Sequence, residues 1–131
     1  LVDTNVWIDC MDGNSDWQAW SLAQLQTCVQ RAPLHLNIVI YTELLLLGTD
    51  PRAIDDVLDV FEAKRSALPW GCAALTARAF TAYRSRGGAK TRPMPDFYIG
   101  AHAAVANLSV LTRDPAAYRS YYPKLRLICP D

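Results

Sequence analysis

Residues 95–114 read PDFYIGAHAAVANLSVLTRD, and the fold is decided here. Pro95 suits the first turn of a helix, where its missing N–H is no loss, and the pattern runs helical to Asn107. Ser109 to Thr112 then reads as a short apolar strand, with Asp114 two residues past its end. A helix handing its chain directly to a strand is the repeating unit of an α/β fold. Outward from this stretch the same alternation appears. Leu34 to Ile40 reads as the best strand, with Leu34, Leu36, Ile38 and Ile40 at period two. Leu1-Val2 and Lys124 to Cys129 read as further short strands. Between them lie helical signals. Ser15 with Gln18 three residues on forms a capping box that opens a helix to about Ala32. Asp50-Pro51 supplies an N-cap with Pro at the first position, and Ile54, Val57, Leu58 and Phe61 follow at helical spacing. Gly71 to Arg86 forms another helix, stopped by Gly87-Gly88. The expectation is an α/β fold with a mainly parallel sheet, whose site lies at the carboxyl ends of the strands.

The chain has 131 residues, within the range of one domain, and residues 1–131 are read as a single unit. Hydrophobic residues make up 51% and charged residues 20%, which excludes extended disorder. No apolar run reaches the ~18 residues of a membrane span. The opening Leu-Val-Asp has no basic segment ahead of it, so no signal peptide is expected. Without an initiator Met, at least one residue should precede Leu1, and the first strand is expected to look short. Cys10, Cys28, Cys72 and Cys129 form no C-x-x-C pair. They read as reduced thiols, mostly buried, in a reducing compartment, so the expected location is cytoplasmic. Net charge is zero but unevenly spread. Residues 1–77 carry ten acids and four bases, whereas residues 78–126 carry nine bases and only two acids, Asp96 and Asp114.

Placing the acids on this scheme brings four together. Asp3 ends the first strand. Glu43 falls three residues past Ile40, in the first turn of the next helix. Asp114 follows the Ser109–Thr112 strand. Asp96 opens the preceding helix, whose start lies near the same sheet edge in a right-handed crossover. Singly, each has a simple structural role. Asp96 and Glu43 suit helix N-termini, Asp114-Pro115 suits an N-cap, and Asp3-Thr4-Asn5 suits a turn. Together they conflict: two carboxylates ~4 Å apart repel by ~4 kcal/mol at an effective dielectric of 20. Such a group protonates or disorders unless a cation holds it. An all-oxygen ligand set selects Mg²⁺ or Mn²⁺, ions suited to phosphodiester hydrolysis.

The other candidates are weaker. His35, on a strand, and His102, in mid-helix, read as structural, and two histidines without G-x-S-x-G make a nucleophilic triad improbable. Gly87-Gly88 with Lys90-Thr91 lacks phosphate-loop spacing. Gly100 and Ala103 read as a close helix contact. Asp9, Asp12, Asp16, Asp55, Asp56 and Asp59 read as solvated faces and caps. Trp7, Trp17, Trp20 and Trp70 read as core or interface.

LVDTNVWID at the start, YTELLLLG in the middle and MPDFYIGAHAAVANLSVLTRD near the end resemble the PIN-domain ribonucleases, and among them the VapC toxins of bacterial toxin–antitoxin pairs. The resemblance covers nearly the whole chain in the right order. It implies a PIN-like α/β/α sandwich around a central, mainly parallel five-stranded sheet. It implies an acidic pocket for Mg²⁺ or Mn²⁺, with the family's four acids at Asp3, Glu43, Asp96 and Asp114. It further implies polar helpers at Asn5 and Thr112, a homodimer, and a cognate VapB-like antitoxin. Residues 49–92 match no motif.

The expected activity is a metal-dependent endoribonuclease acting as a toxin. Asp3, Asp96 and Asp114 would hold the ion, and Glu43 a second ion or the attacking water. Arg92, four residues before Asp96, and Arg113 are the candidates to touch the RNA backbone. A helix from Ser15 carrying Trp17, Leu22, Leu25 and Val29 spreads its apolar residues beyond one ~100° stripe, so part of it should meet another chain. The alternatives are a non-toxin PIN nuclease and a phosphoacceptor, receiver-like regulatory domain. The second needs an acid pair after the first strand and a Lys at the end of a later strand; the sequence offers Asp-Thr-Asn and a Lys124 that begins a strand.

Overall fold

The computed structural model describes residues 1–131. In chain order the elements are α1 (Thr4–Met11), α2 (Gln18–Val29), β1 (His35–Leu36), α3 (Ile38–Leu46), α4 (Pro51–Val60), β2 (Lys64–Arg65), α5 (Cys72–Ser85), α6 (Pro95–Ala106), β3 (Val110–Leu111), α7 (Ala116–Tyr121) and β4 (Leu127–Ile128).

The sheet is built around the first two residues. β1 pairs in parallel with β2, and β3 with β4. Val2 donates its N–H to His35 O at 2.9 Å, and Asp3 donates to Leu111 O at 2.9 Å. Val2 thereby bridges to Leu111 in parallel and joins the two ladders in the order β2, β1, Leu1-Val2, β3, β4. The α/β class with a parallel sheet holds. In place of the five strands that the resemblance implies there are four strands of two residues each, with Val2 as a single-residue bridge between the two ladders, and the chain leaves Val2 and β1 for a helix almost at once.

That early departure corrects the reading of Leu34 to Ile40 as one strand. Only His35 and Leu36 are strand. Asn37 is extended, at φ −124° and ψ 176°, and its side-chain oxygen accepts the Ile40 N–H at 3.1 Å. This cap starts α3 at Ile38, so Ile38 is exposed while Ile40 and Leu44, four apart, are buried. The apolar period of two was real but stopped at Leu36. Glu43 accordingly sits in the second turn of α3, not the first.

Other boundaries shift for similar reasons. Asp3-Thr4-Asn5 opens a helix instead of a turn, because the Asp3 carboxylate accepts the Thr4 N–H at 2.8 Å. Ser15 is no capping box. Its hydroxyl donates to Asp9 at 2.9 Å while accepting the Trp17 N–H, and α2 begins only at Gln18. β2 and α7 carry no strong sequence signal: both residues of β2 are exposed, and α7 is six residues long. Asn107 ends α6 in the left-handed region at φ 52°, a conformation that Asn tolerates better than most residues.

The main core gathers Val2, Trp7, Leu25, Leu36, Ile40, Leu58, Ile99 and Val110 around the sheet. A second cluster of Cys72, Ala79, Phe97, Ala101 and Tyr122 lies chiefly between α5 and α6. The close contact expected at Gly100 is made by a side chain: a Cβ there would stand 2.3 Å from the Tyr122 ring. Tyr122 is fixed by its hydroxyl, which donates to Phe97 O at 2.6 Å. All four cysteines are free, but only Cys72 is buried; the others are half-exposed. No helix is long and apolar enough to cross a membrane.

Candidate active site

The carboxyl edge of the sheet is where Asp3, Glu43, Asp96 and Asp114 emerge. Asp3 is buried and fully engaged. One of its oxygens caps α1 through Thr4; the other accepts from Asn5 Nδ2 at 3.0 Å and from the Thr112 hydroxyl at 2.7 Å. Thr112 in turn accepts from Asn5 at 3.1 Å and from the Asp114 N–H at 3.1 Å. Asn5 also accepts the Arg113 N–H at 3.2 Å. One hydrogen-bonded net therefore ties the start of α1 to the turn after β3. Asn5 and Thr112 both touch Asp3 directly.

Glu43 is brought in by α3, and the Thr4 hydroxyl donates to its Oε2. Asp96 stands in the first turn of α6 and is largely buried, with neither a hydrogen-bond donor nor a cation bound to it. Asp114 is the exposed member; one oxygen accepts the Ala116 N–H at 3.3 Å, so it also helps start α7.

The electrostatics are most perturbed at Asp96. Burial pushes the Asp96 carboxyl from its ordinary 3.8 to about 6, and the charges of Asp3, Glu43 and Asp114 add to the shift. Asp3 is raised by burial, against the pull of its hydrogen bonds from Thr112 and Thr4, of the nearby Tyr118 hydroxyl and of Asn5. Glu43 is raised by burial and by the Asp3 charge, opposed by the Thr4 bond. The molecule has two ion pairs, Arg65 with Asp55 and Arg113 with Asp9. Neither neutralises any of these four acids.

Sequence reasoning missed Tyr118, the buried aromatic of α7. Its hydroxyl lies near Asp3 and makes no well-formed hydrogen bond. Burial, then the charges of Asp3 and Asp96, hold its proton far above the usual phenol range. The only available signal was its position four residues after Asp114, one helical turn on.

Sequence reasoning also misplaced Asp9, which was expected on a solvated face. It is buried, and its carboxylate accepts from Ser15 and Ser21 and pairs with Arg113. Arg92 stands exposed in the loop before α6, with no partner. His102 bonds through Nδ1 to the Asn37 side chain at 3.0 Å, a structural role.

These residues fit a hard divalent cation. Every donor is an oxygen, a buried hydroxyl lacks a partner, and the charge is uncompensated. No three acidic, His or Cys side chains converge on one point as they stand.

The fold and the site together define an α/β protein with four acidic side chains toward the carboxyl edge of a short parallel sheet. A family model of the PIN domain matches residues 1–121. The chain belongs to the PIN domain family.

A comparison with curated proteins gives no sequence match. Among solved structures, the chain is similar to VapBC2 from Rickettsia felis bound to a DNA fragment from its promoter. The TM-score is 0.73 at 16% identity, covering 99% of this chain and 97% of that one. It is also similar to FitAcB from Neisseria gonorrhoeae, with a TM-score of 0.70 at 19% identity over 97% and 94% of the two chains. A toxin–antitoxin complex from Klebsiella pneumoniae gives 0.67 at 15% identity over 97% and 93%. At these identities the likeness is one of fold.

Proposed function

We propose that the chain is a metal-dependent endoribonuclease that acts as the toxin of a toxin–antitoxin pair in the cytoplasm. The observation that carries this reading is the set of four carboxylates toward one sheet edge, none of them paired with a protein cation. Asp3, Asp96 and Asp114 would hold Mg²⁺ or Mn²⁺, and Glu43 a second ion or the attacking water. The ion, when bound, would lower the pKa of water and neutralise charge developing on phosphorus. Asn5 and Thr112 hold the Asp3 carboxylate in one orientation, as supporting groups around metal ligands do. Thr4 does the same for Glu43. Arg113 and Arg92 would approach the RNA backbone from the two chain segments that carry Asp114 and Asp96.

A partner chain is part of this reading. The expected apolar surface on α2 is modest: Trp17 is 39% exposed but stacks edge-on against Trp20, which reaches the core. A larger apolar surface lies on α3 and beyond, where Ile38, Leu46 and Leu47 are well exposed. Such surface suits a second copy of the chain and a VapB-like antitoxin. Solved relatives in fold carry the names of toxin–antitoxin complexes, which supports the pairing.

The test is to incubate purified protein with total RNA in Mg²⁺, in Mn²⁺ and in excess chelator, and to sequence the ends produced. Cleavage in the metals alone, leaving 5′-phosphates, is the expected result. Equal cleavage in chelator overturns the metal mechanism. Absence of cleavage under every condition, with an aspartyl-phosphate formed from acetyl phosphate, would favour a receiver-like role.

A further inference from the structure

Arg113 is held at two points by one face of α1. Its backbone N–H donates to Asn5 Oδ1 at 3.2 Å, and its Nε lies 3.0 Å from Asp9 Oδ2 as an ion pair without hydrogen-bond alignment. Asn5 and Asp9 are four residues apart, the spacing that stacks side chains along a helix. Asp9 is 2% exposed, and the Ser15 and Ser21 hydroxyls fix its two oxygens at 2.9 and 3.0 Å. This buried carboxylate is thus held by two hydroxyl donors and one guanidinium. Arg113 has its Nε buried, yet 35% of its side chain remains exposed. Neither terminal nitrogen bonds to any protein acceptor. The guanidinium is therefore anchored at its inner end and free at its outer end, next in sequence to Asp114.

The geometry points to Asp9 as a positioning residue that presents the Arg113 guanidinium to a backbone phosphate of the nucleic acid substrate. This inference rests on the nuclease reading of the acidic edge. Guanidinium suits the task because its planar fork can pair with a carboxylate through one edge and a phosphate through another. An ammonium is a point charge and cannot make both contacts at this spacing. Asp9 itself touches no substrate. It spends its charge on the inner end of Arg113, and Ser15 and Ser21 keep it from swinging away.

The assignment makes a prediction opposite in sign to simple electrostatics. Removing an acid near an RNA path should tighten RNA binding. If Asp9 positions Arg113, its removal should loosen it. The probe is a fluorescein-labelled single-stranded RNA, titrated by anisotropy against the Asp96→Asn protein in Mg²⁺ at several KCl concentrations. Asp9→Asn in that background should raise Kd about three- to tenfold and make the slope of log K against log salt shallower by up to ~0.7, the share of one phosphate contact. Arg113→Lys, which keeps the charge, should shift both readouts the same way, and the double variant should add little to either single one. Circular dichroism establishes folding, and if Asp9→Asn does not fold, Arg113→Lys decides alone. Unchanged or tighter binding with the original slope overturns the Asp9–Arg113 assignment and leaves the nuclease reading standing. A wild-type protein that cuts no RNA in Mg²⁺, with no RNA bound by the Asp96→Asn protein, overturns the nuclease reading and this inference with it.

Discussion

Replacing Asp96 with Asn should make the metal-free protein more stable and the enzyme inactive. Asp96 is raised from 3.8 to about 6 by burial first and then by Asp3, Glu43 and Asp114. The folded state therefore holds this proton more tightly than the unfolded chain does. Between pH 3.8 and about 6 the folded protein binds more protons, so its stability falls as pH rises through that window. The loss is absent below pH 3.8 and complete above about 6, where it amounts to about 3 kcal/mol. Asn keeps the shape and removes the charge. Part of the gain is offset, because an acid in the first turn of α6 is worth ~0.3–1 kcal/mol to the helix, and a buried amide needs partners of its own. A net gain of about 1–3 kcal/mol at pH 7 remains, or roughly 4–10 °C in Tm for a chain of this length. At pH 4 the gain should vanish. The assay is thermal unfolding in chelator from pH 4 to 8, with wild type and variant in parallel. With Mg²⁺ added, wild type should recover stability by ligand linkage and the variant should recover less. RNA cleavage by the variant should fall by orders of magnitude. A variant that melts lower than wild type at pH 7, responds equally to Mg²⁺ and cleaves at the wild-type rate would show that Asp96 only serves the end of its helix.

Tyr118→Phe removes a buried hydroxyl that lacks a partner, so urea unfolding should show unchanged stability or a gain of up to ~1 kcal/mol; a loss above ~1 kcal/mol would reveal a bond to Asp3 stronger than the geometry allows. Gly100→Ala drives a methyl into the Tyr122 ring, which is held to Phe97 O, and should destabilise by ~1–3 kcal/mol; a wild-type Tm would mean that Tyr122 moves freely. Asn37→Ala removes the cap of α3 and the partner of buried His102 and should lose ~1–3 kcal/mol, with cleavage weakened because α3 carries Glu43; stability within 0.5 kcal/mol of wild type in chemical denaturation would contradict the capping role.

Some of this was legible along the chain because it is local. Pro95 and Asn107 bracket a helix through their own backbone preferences, and Asp50-Pro51 opens another the same way. Asp3, Asp96 and Asp114 could be placed at one edge because strand direction and crossover handedness leave few choices. Glu43 was placed on the correct edge for an incorrect reason, since the strand said to precede it ends at Leu36 and the helix begins earlier. The apolar alternation through Ile40 could not reveal that, because a helix buries Ile40 and Leu44 as readily as a strand would bury Ile38 and Ile40. Asp9 looked like one more surface acid, because nothing near it in sequence announces Arg113, about a hundred residues away.

The sequence by itself determined the α/β alternation and the sheet edge toward which the acids lie. Those follow from periodicity and chirality, which act over a few residues or obey one rule for every chain. Only the tertiary structure decided that the strands are barely two residues long, that Tyr118 lays an unpaired hydroxyl near Asp3, and that Asp9 reaches Arg113 beneath the surface. Those depend on which distant side chains are brought into contact, and burial changes their energies by more than local preference does. A carboxylate that is harmless in water must find partners once water is excluded, and only the folded chain supplies or withholds them.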